Sequence, residues 1–153
     1  MPISRSNASR IIVEFMPKII RGIHLGFLAK RRVTQTQFFV VTAIHANRRC
    51  SMRMLAESMH ISMPTISGIV DRLVKSGYVR REEDPADRRL VMVELSAKGK
   101  LLVQQFQSAA SARWEEILQA FSANELDAFY HLIRKLNDGM TGRKENDTIK
   151  SKF

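Results

Sequence analysis

The stretch from Ser51 to Gly77, SMRMLAESMHISMPTISGIVDRLVKSG, constrains the chain more than any other. It holds two short amphipathic segments with a stop between them. In the first, Met52, Leu55, Ala56 and Met59 share one side of a helix that Ser51 can cap. In the second, Ser62 suits the N-cap, Pro64 falls in the first turn where a missing N–H costs little, and Ile66, Ile69, Val70 and Leu73 form one apolar stripe. Gly77 fits a Schellman stop with Tyr78 packing back toward Leu73. His60 occupies the turn, and histidine tolerates positive φ better than most residues. The whole has the form of a helix-turn-helix, with Leu55, Ala56, Ile61, Ile66 and Ile69 in its apolar slots. Any two-helix hairpin shares the outline; the fit at five slots and the cap favours the DNA-binding version.

The flanks read as helices and one hairpin. Ile12, Met16, Ile19, Ile23 and Phe27 step by three and four, which predicts a helix over Ile11–Lys30 with a kink or break at Pro17. Thr34 with Gln37 forms a capping box opening a helix over Gln35–Ala46, apolar nearly all round and therefore central to the core. Two strands, Tyr78–Glu82 and Arg89–Leu95, are joined by a turn at Asp84-Pro85, with Val91, Val93 and Leu95 directed to the core. Ser96 caps a long helix carrying Val103, Phe106, Ala110, Trp114, Ile117 and Phe121 on one face. Ser122 with Glu125 opens another, whose Leu126, Phe129, Ile133, Leu136 and Met140 repeat as a helix-packing seam. The expected fold is mainly α with a small β-wing, one domain over 1–153. A winged helix-turn-helix occupies 34–95, dimerisation helices 9–30 and 96–140, and a polar, aperiodic tail 141–153.

With 25 Lys and Arg against 15 acids, the chain carries a formal charge of +10, which points to a polyanionic partner, nucleic acid or an anionic membrane surface, between which composition alone does not choose. Most of the excess lies in residues 1–47, seven basic against one acid, outside the helix-turn-helix. No apolar run approaches the about 18 residues of a membrane span, so no membrane partner is expected. A single cysteine, Cys50, cannot form an internal disulfide, and a reducing compartment, the cytoplasm, is expected. Cys50 has two readings. Arg48, Arg49 and Arg53 and a following helix start would activate a redox thiol, whereas a short connecting strand would bury it as a packing residue. His24, His45, His60 and His131 lack metal-ligand spacing, and no phosphate loop or nucleophile elbow occurs. Neither an enzyme nor a cofactor is expected.

The exposed side of the second segment carries Met63, Pro64, Thr65, Ser67, Gly68, Asp71 and Arg72, small and hydroxyl groups first and cations later. The former can approach base edges; Arg72 and Lys75 are better placed for phosphates. Acidic Asp71 calls for a neighbouring arginine or a cytosine amine. From Thr34 to Gly99, LAESMHISMPTISGIVDRLVKSGYVRR followed by DPADRRLVMVELSAKG resembles the MarR family of winged-helix transcription regulators. The resemblance implies a homodimer interlocked through its first, fifth and sixth helices, bound to a palindromic double-stranded operator. Its fourth helix would enter a major groove and its wing tip the adjacent minor groove. Carried over by position, Ser62, Thr65, Ser67 and Arg72 belong to the recognition helix and Asp87, Arg88 and Arg89 to the wing tip; Pro64 joins them as part of the helix's leading turn. An arginine in a narrow, strongly negative minor groove reads its width. DRR alone would read as a solvated turn. The resemblance also implies a repressor released by a small, aromatic or phenolic effector, whose contacts no motif identifies. The alternatives are a winged-helix protein-interaction module and a non-specific architectural DNA-binding protein.

Overall fold

The computed structural model describes residues 3–84, 86–87 and 90–141. Pro85, Arg88 and Arg89, named above for the turn and the wing tip, lie outside the described residues, as does the expected tail from 142 onward. The chain divides into two compact units, Met1–Ala112 and Arg113–Phe153.

In the first unit, α1 (Arg5–Leu28) is followed by α2 (Gln35–Asn47), β1 (Arg49–Ser51), α3 (Met52–Met59), α4 (Met63–Lys75), β2 (Val79–Glu83) and β3 (Val91–Leu95). Then α5 (Ala97–Leu118) begins and runs into the second unit, which also holds α6 (Ala123–Thr141). The three strands form an antiparallel sheet in the order β1-β3-β2. The architecture is mainly α with a small β-wing, as the sequence predicts.

Two expectations for α1 are overturned. The helix starts earlier, because Ser4 caps it through the Asn7 amide at 3.2 Å, and of the kink or break expected at Pro17 the break is absent, the helix running on to Leu28. Proline deprives the Val13 carbonyl of its helical donor, but Val13 is 74% exposed and water can serve that oxygen. Only the end of the predicted stripe, Phe27 with neighbouring Leu28, is buried. Ile11, Ile12, Val13, Phe15 and Ile20 remain exposed.

The core gathers around α2 and α4. Thr34 and Gln37 complete the capping box, and Phe38, Val40, Val41 and Ile44 of α2 are fully buried. Ile66, Val70 and Leu73 of α4 pack into the same cluster with Leu55, Val93 and Val103. Each such side chain withdrawn from water contributes about 1.5–3 kcal/mol. An aromatic group joins this core: Phe38 lies edge-on to Phe106 at 4.8 Å, and Phe106 to Phe27 at 5.3 Å.

One further expectation fails. Val91 is exposed, although Val93 and Leu95 are buried. Val91 pairs with Glu83 at the outer end of the hairpin, beyond the reach of the helices, so the alternation continues after the core has ended. In the second unit the Ser122–Glu125 capping box forms, and Phe121 stacks edge-on against Phe129 at 5.7 Å. Phe121 itself falls past the end of α5. Along α6, Leu126, Ile133, Leu136 and Met140 are exposed.

The end of α4 and the start of α5 are locked together. Gly77 takes φ 75, its N–H donates to the Val74 carbonyl, and the Tyr78 N–H donates to the Leu73 carbonyl at 2.9 Å, the expected Schellman stop. Ser96 caps α5 through the Gly99 amide and donates its hydroxyl to the Gly77 carbonyl at 2.6 Å. A β-carbon on Gly99 would lie 2.1 Å from the Tyr78 carbonyl oxygen, a backbone atom that cannot yield. Gly99→Ala is therefore expected to destabilise the protein by about 1–3 kcal/mol, read as a lowered urea midpoint. Gly22→Ala, where a β-carbon meets open space, serves as the control without that loss.

Candidate nucleic-acid interface

The helix-turn-helix forms as read. Ser51 caps α3 through the Met54 amide, and Leu55 and Ala56 are buried at its contact with α4. His60 adopts φ 55, φ-positive as expected, and the following Ile61 N–H donates to the Ala56 carbonyl at 3.0 Å. Ser62 then caps α4, accepting from the Thr65 amide at 3.4 Å, and the Ser62 and Thr65 hydroxyls share a hydrogen bond of 2.8 Å. Pro64 lies in the first turn, where no helical acceptor awaits its missing N–H.

Burial of the α4 stripe decides what is left outside. Met63, Pro64, Thr65 and Arg72 are exposed, while Ser67 and Gly68 are half-buried. The leading end thus offers two hydroxyls, a proline ring and a thioether, with little bulk. Arg72 and Lys75 stand in the last turn, where they also complement the helix dipole. Asp71 finds the arginine expected of it: Arg81 on β2 donates from Nη1 to Oδ1 at 2.6 Å. The sequence did not say which arginine.

The wing tip is organised by Asp84, whose Oδ1 accepts from the Ala86 amide at 2.8 Å. The Asp84 N–H donates to the Leu90 carbonyl, and the Leu90 N–H to the Asp87 carbonyl. Asp87 is exposed at this tip. On the stem, Arg80 pairs with Glu94 and Glu82, which offsets much of its charge. A contact that sequence reasoning missed is Arg49, whose Nη2 donates to the Glu83 carbonyl at 3.3 Å. Nothing in a three-residue strand signals it.

Cys50 sits in β1 opposite Val93 and is 1% exposed. Burial pushes its thiol above the ordinary value, opposite to the activation that nearby arginines would bring, and this favours the packing role over the redox one. Among the described residues no group of three or more His, Cys, Asp or Glu could hold a metal ion, and no helix is long and apolar enough to cross a membrane.

A short helix, a left-handed turn, a capped second helix and an adjoining antiparallel hairpin define a winged helix-turn-helix protein. The MarR family model matches residues 33–91. The chain is 32% identical over 107 residues to the HTH-type transcriptional repressor NicR of Pseudomonas putida, covering 70% of this chain and 68% of that one. It is 31% identical over 104 residues to the transcriptional regulator HosA of Escherichia coli, covering 68% and 77%. The fold is that of the transcriptional regulator Tm0710 of Thermotoga maritima, with a TM-score of 0.79 at 20% identity over 92% of this chain and 100% of that one. The chain belongs to the MarR family.

The raised thiol yields an expectation with a definite sign. Folded Cys50 holds its proton to higher pH than the unfolded thiol, whose ordinary value is 9.0, so its contribution is complete below that pH and declines as pH rises through the folded value. Stability of the parent should therefore fall above pH 9 by a component that Cys50→Ala lacks. Alkylation of the native thiol should be slow and should accelerate with urea in step with unfolding; rapid native alkylation would restore the redox reading.

Proposed function

We propose that this chain is a dimeric, sequence-specific, double-stranded DNA-binding transcription regulator acting as a repressor. The observation that carries the reading is the leading end of α4: a capped, rigidly packed helix whose exposed turn is small and polar, followed by Arg72 and flanked by a wing. In this reading Ser62, Pro64, Thr65 and Ser67 face base edges in the major groove, and Arg72 meets a phosphate. Asp87, Arg88 and Arg89 form the wing tip that enters the minor groove.

Dimerisation is supported by apolar surface that the protomer leaves uncovered, Ile11, Ile12, Phe15 and Ile20 on α1 and Leu126, Ile133 and Leu136 on α6. In this assignment residues 9–30 and 96–140 supply the dimer helices, and residues 34–95 supply the DNA-binding unit. A two-fold dimer implies a palindromic site with half-sites about 34 Å apart. The repressor assignment is supported by the similarity to NicR and to the HTH-type transcriptional repressor YetL of Bacillus subtilis, 24% identical over 121 residues covering 78% of this chain and 72% of that one.

Release by a small acidic aromatic effector is supported by a cleft of about 530 Å³ lined by His45, Arg48, Arg49, Glu94, Lys100 and Gln104. Three of these residues are cations, Arg48, Arg49 and Lys100, and the carboxylate among them, Glu94, is already paired with Arg80. An anionic carboxylate would meet that positive charge.

Selection of bound fragments from a random duplex pool, with and without phenolic acids, tests the reading. A symmetric consensus whose enrichment phenolic acids reduce is expected. Arg72→Ala should weaken binding to all sequences and lower the salt slope by about one per protomer, whereas Thr65→Ala should relax preference at one position. Salt-insensitive binding, or no preference over random DNA, would contradict it.

A further inference from the structure

β1 pairs with β3 as far as Met92, and on the α4 side the wing is held by charge. Val79, Val93 and Leu95 anchor the hairpin in the core, but Arg81, Glu82, Glu83 and Val91 further out are all exposed. Strand pleat puts Arg81 on the same side as Val79, toward α4, and Arg80 and Glu82 on the other. Arg81 meets Asp71, the single acidic residue of α4, with the two side chains 32% and 48% exposed. On the other flank, Arg49 holds the Glu83 carbonyl. Among the described residues, the outer wing is thus tied to α4 through one ion pair.

We infer that Asp71 and Arg81 are positioning residues for DNA, a reading that rests on the function proposed above. Their pair fixes the angle between wing and α4 and neutralises the one carboxylate on the helix that would face phosphates, while neither residue touches DNA. A partly exposed ion pair adds little to folding stability, so its removal leaves the core intact. Its effect falls on binding. A loosened wing must be ordered when DNA is met, and an uncompensated Asp71 repels the backbone.

The test is a double-mutant cycle of Asp71→Asn, Arg81→Gln and both together, with Arg81→Lys alongside. Each variant is titrated on the selected operator at several salt concentrations and melted in parallel. Each single change is expected to weaken binding roughly fivefold or more. The double should be no weaker than the worse single, because both changes break one link. Melting temperature and salt slope should stay at the parent's values. Lysine at 81, which keeps the charge and can replace the single N–H···O contact, should recover part of the affinity.

A salt slope lower by about 0.9 per protomer in Arg81→Gln would mean that Arg81 itself meets a phosphate, and would overturn the inference. Additive losses, singles that bind like the parent, or affinity losses matched by a lowered melting temperature would overturn it too. A parent protein with no operator preference would instead overturn the function on which it rests.

Discussion

Everything in the winged unit depends on how the chain leaves α4. Gly77 reverses it in a left-handed conformation, and the reversal uses the helix's own terminal carbonyls as acceptors. The same two residues are then gripped from α5, by the Ser96 hydroxyl on the Gly77 carbonyl and the Ser96 N–H on the Tyr78 carbonyl. Lys98 completes the grip, donating to the Ser76 carbonyl at 2.7 Å while its ammonium lies 4.5 Å from the centre of the Tyr78 ring. Gly99 has no side chain because there is no room for one. The end of α4, the wing base and the start of α5 are therefore joined by hydrogen bonds at one point of the chain.

That junction matters because charge alone would not place this protein on DNA. Of the basic residues in the winged unit, Arg80 is engaged by Glu94 and Glu82, Arg81 by Asp71, and Arg53 by Glu57. The surplus that gives the chain its formal +10 is concentrated before residue 48. A long-range field can bring a polyanion near, but orientation must come from shape: a narrow polar helix end held at a fixed angle to a wing. Of these pairs, those of Arg80 and Arg81 lie on the wing strands and that of Arg53 lies within α3.

The helix-turn-helix was legible in the sequence because each of its features is local. Caps at Ser51 and Ser62, the turn at His60 and the stop at Gly77 each follow from a few neighbouring residues, and the apolar stripe follows from spacing. What stayed hidden depends on distance. Arg81 could be assigned to Asp71 only once β2 was seen beside α4, and Arg49 to Glu83 only once β1 had joined the sheet. Val91 was misread because period-2 alternation tells which face a residue takes, not where the core stops. At Pro17 the break offered beside a kink did not occur, since the residue that loses its helical donor, Val13, lies on an exposed part of the helix. The early start of α1 was missed because Ser4 lies in a polar segment without periodicity. The wing-tip assignment of Asp87, Arg88 and Arg89 came from resemblance, not from spacing.

The central claim is that α4 and the wing read adjacent grooves, twice, one helical turn apart. Footprinting on a selected operator tests it directly, with major-groove guanine methylation and minor-groove hydroxyl-radical cleavage read on the same fragment. The account predicts two major-groove protections about 10 base pairs apart, each bordered on its outer side by a minor-groove protection. A single protected block, or uniform protection with no groove pattern, would contradict it.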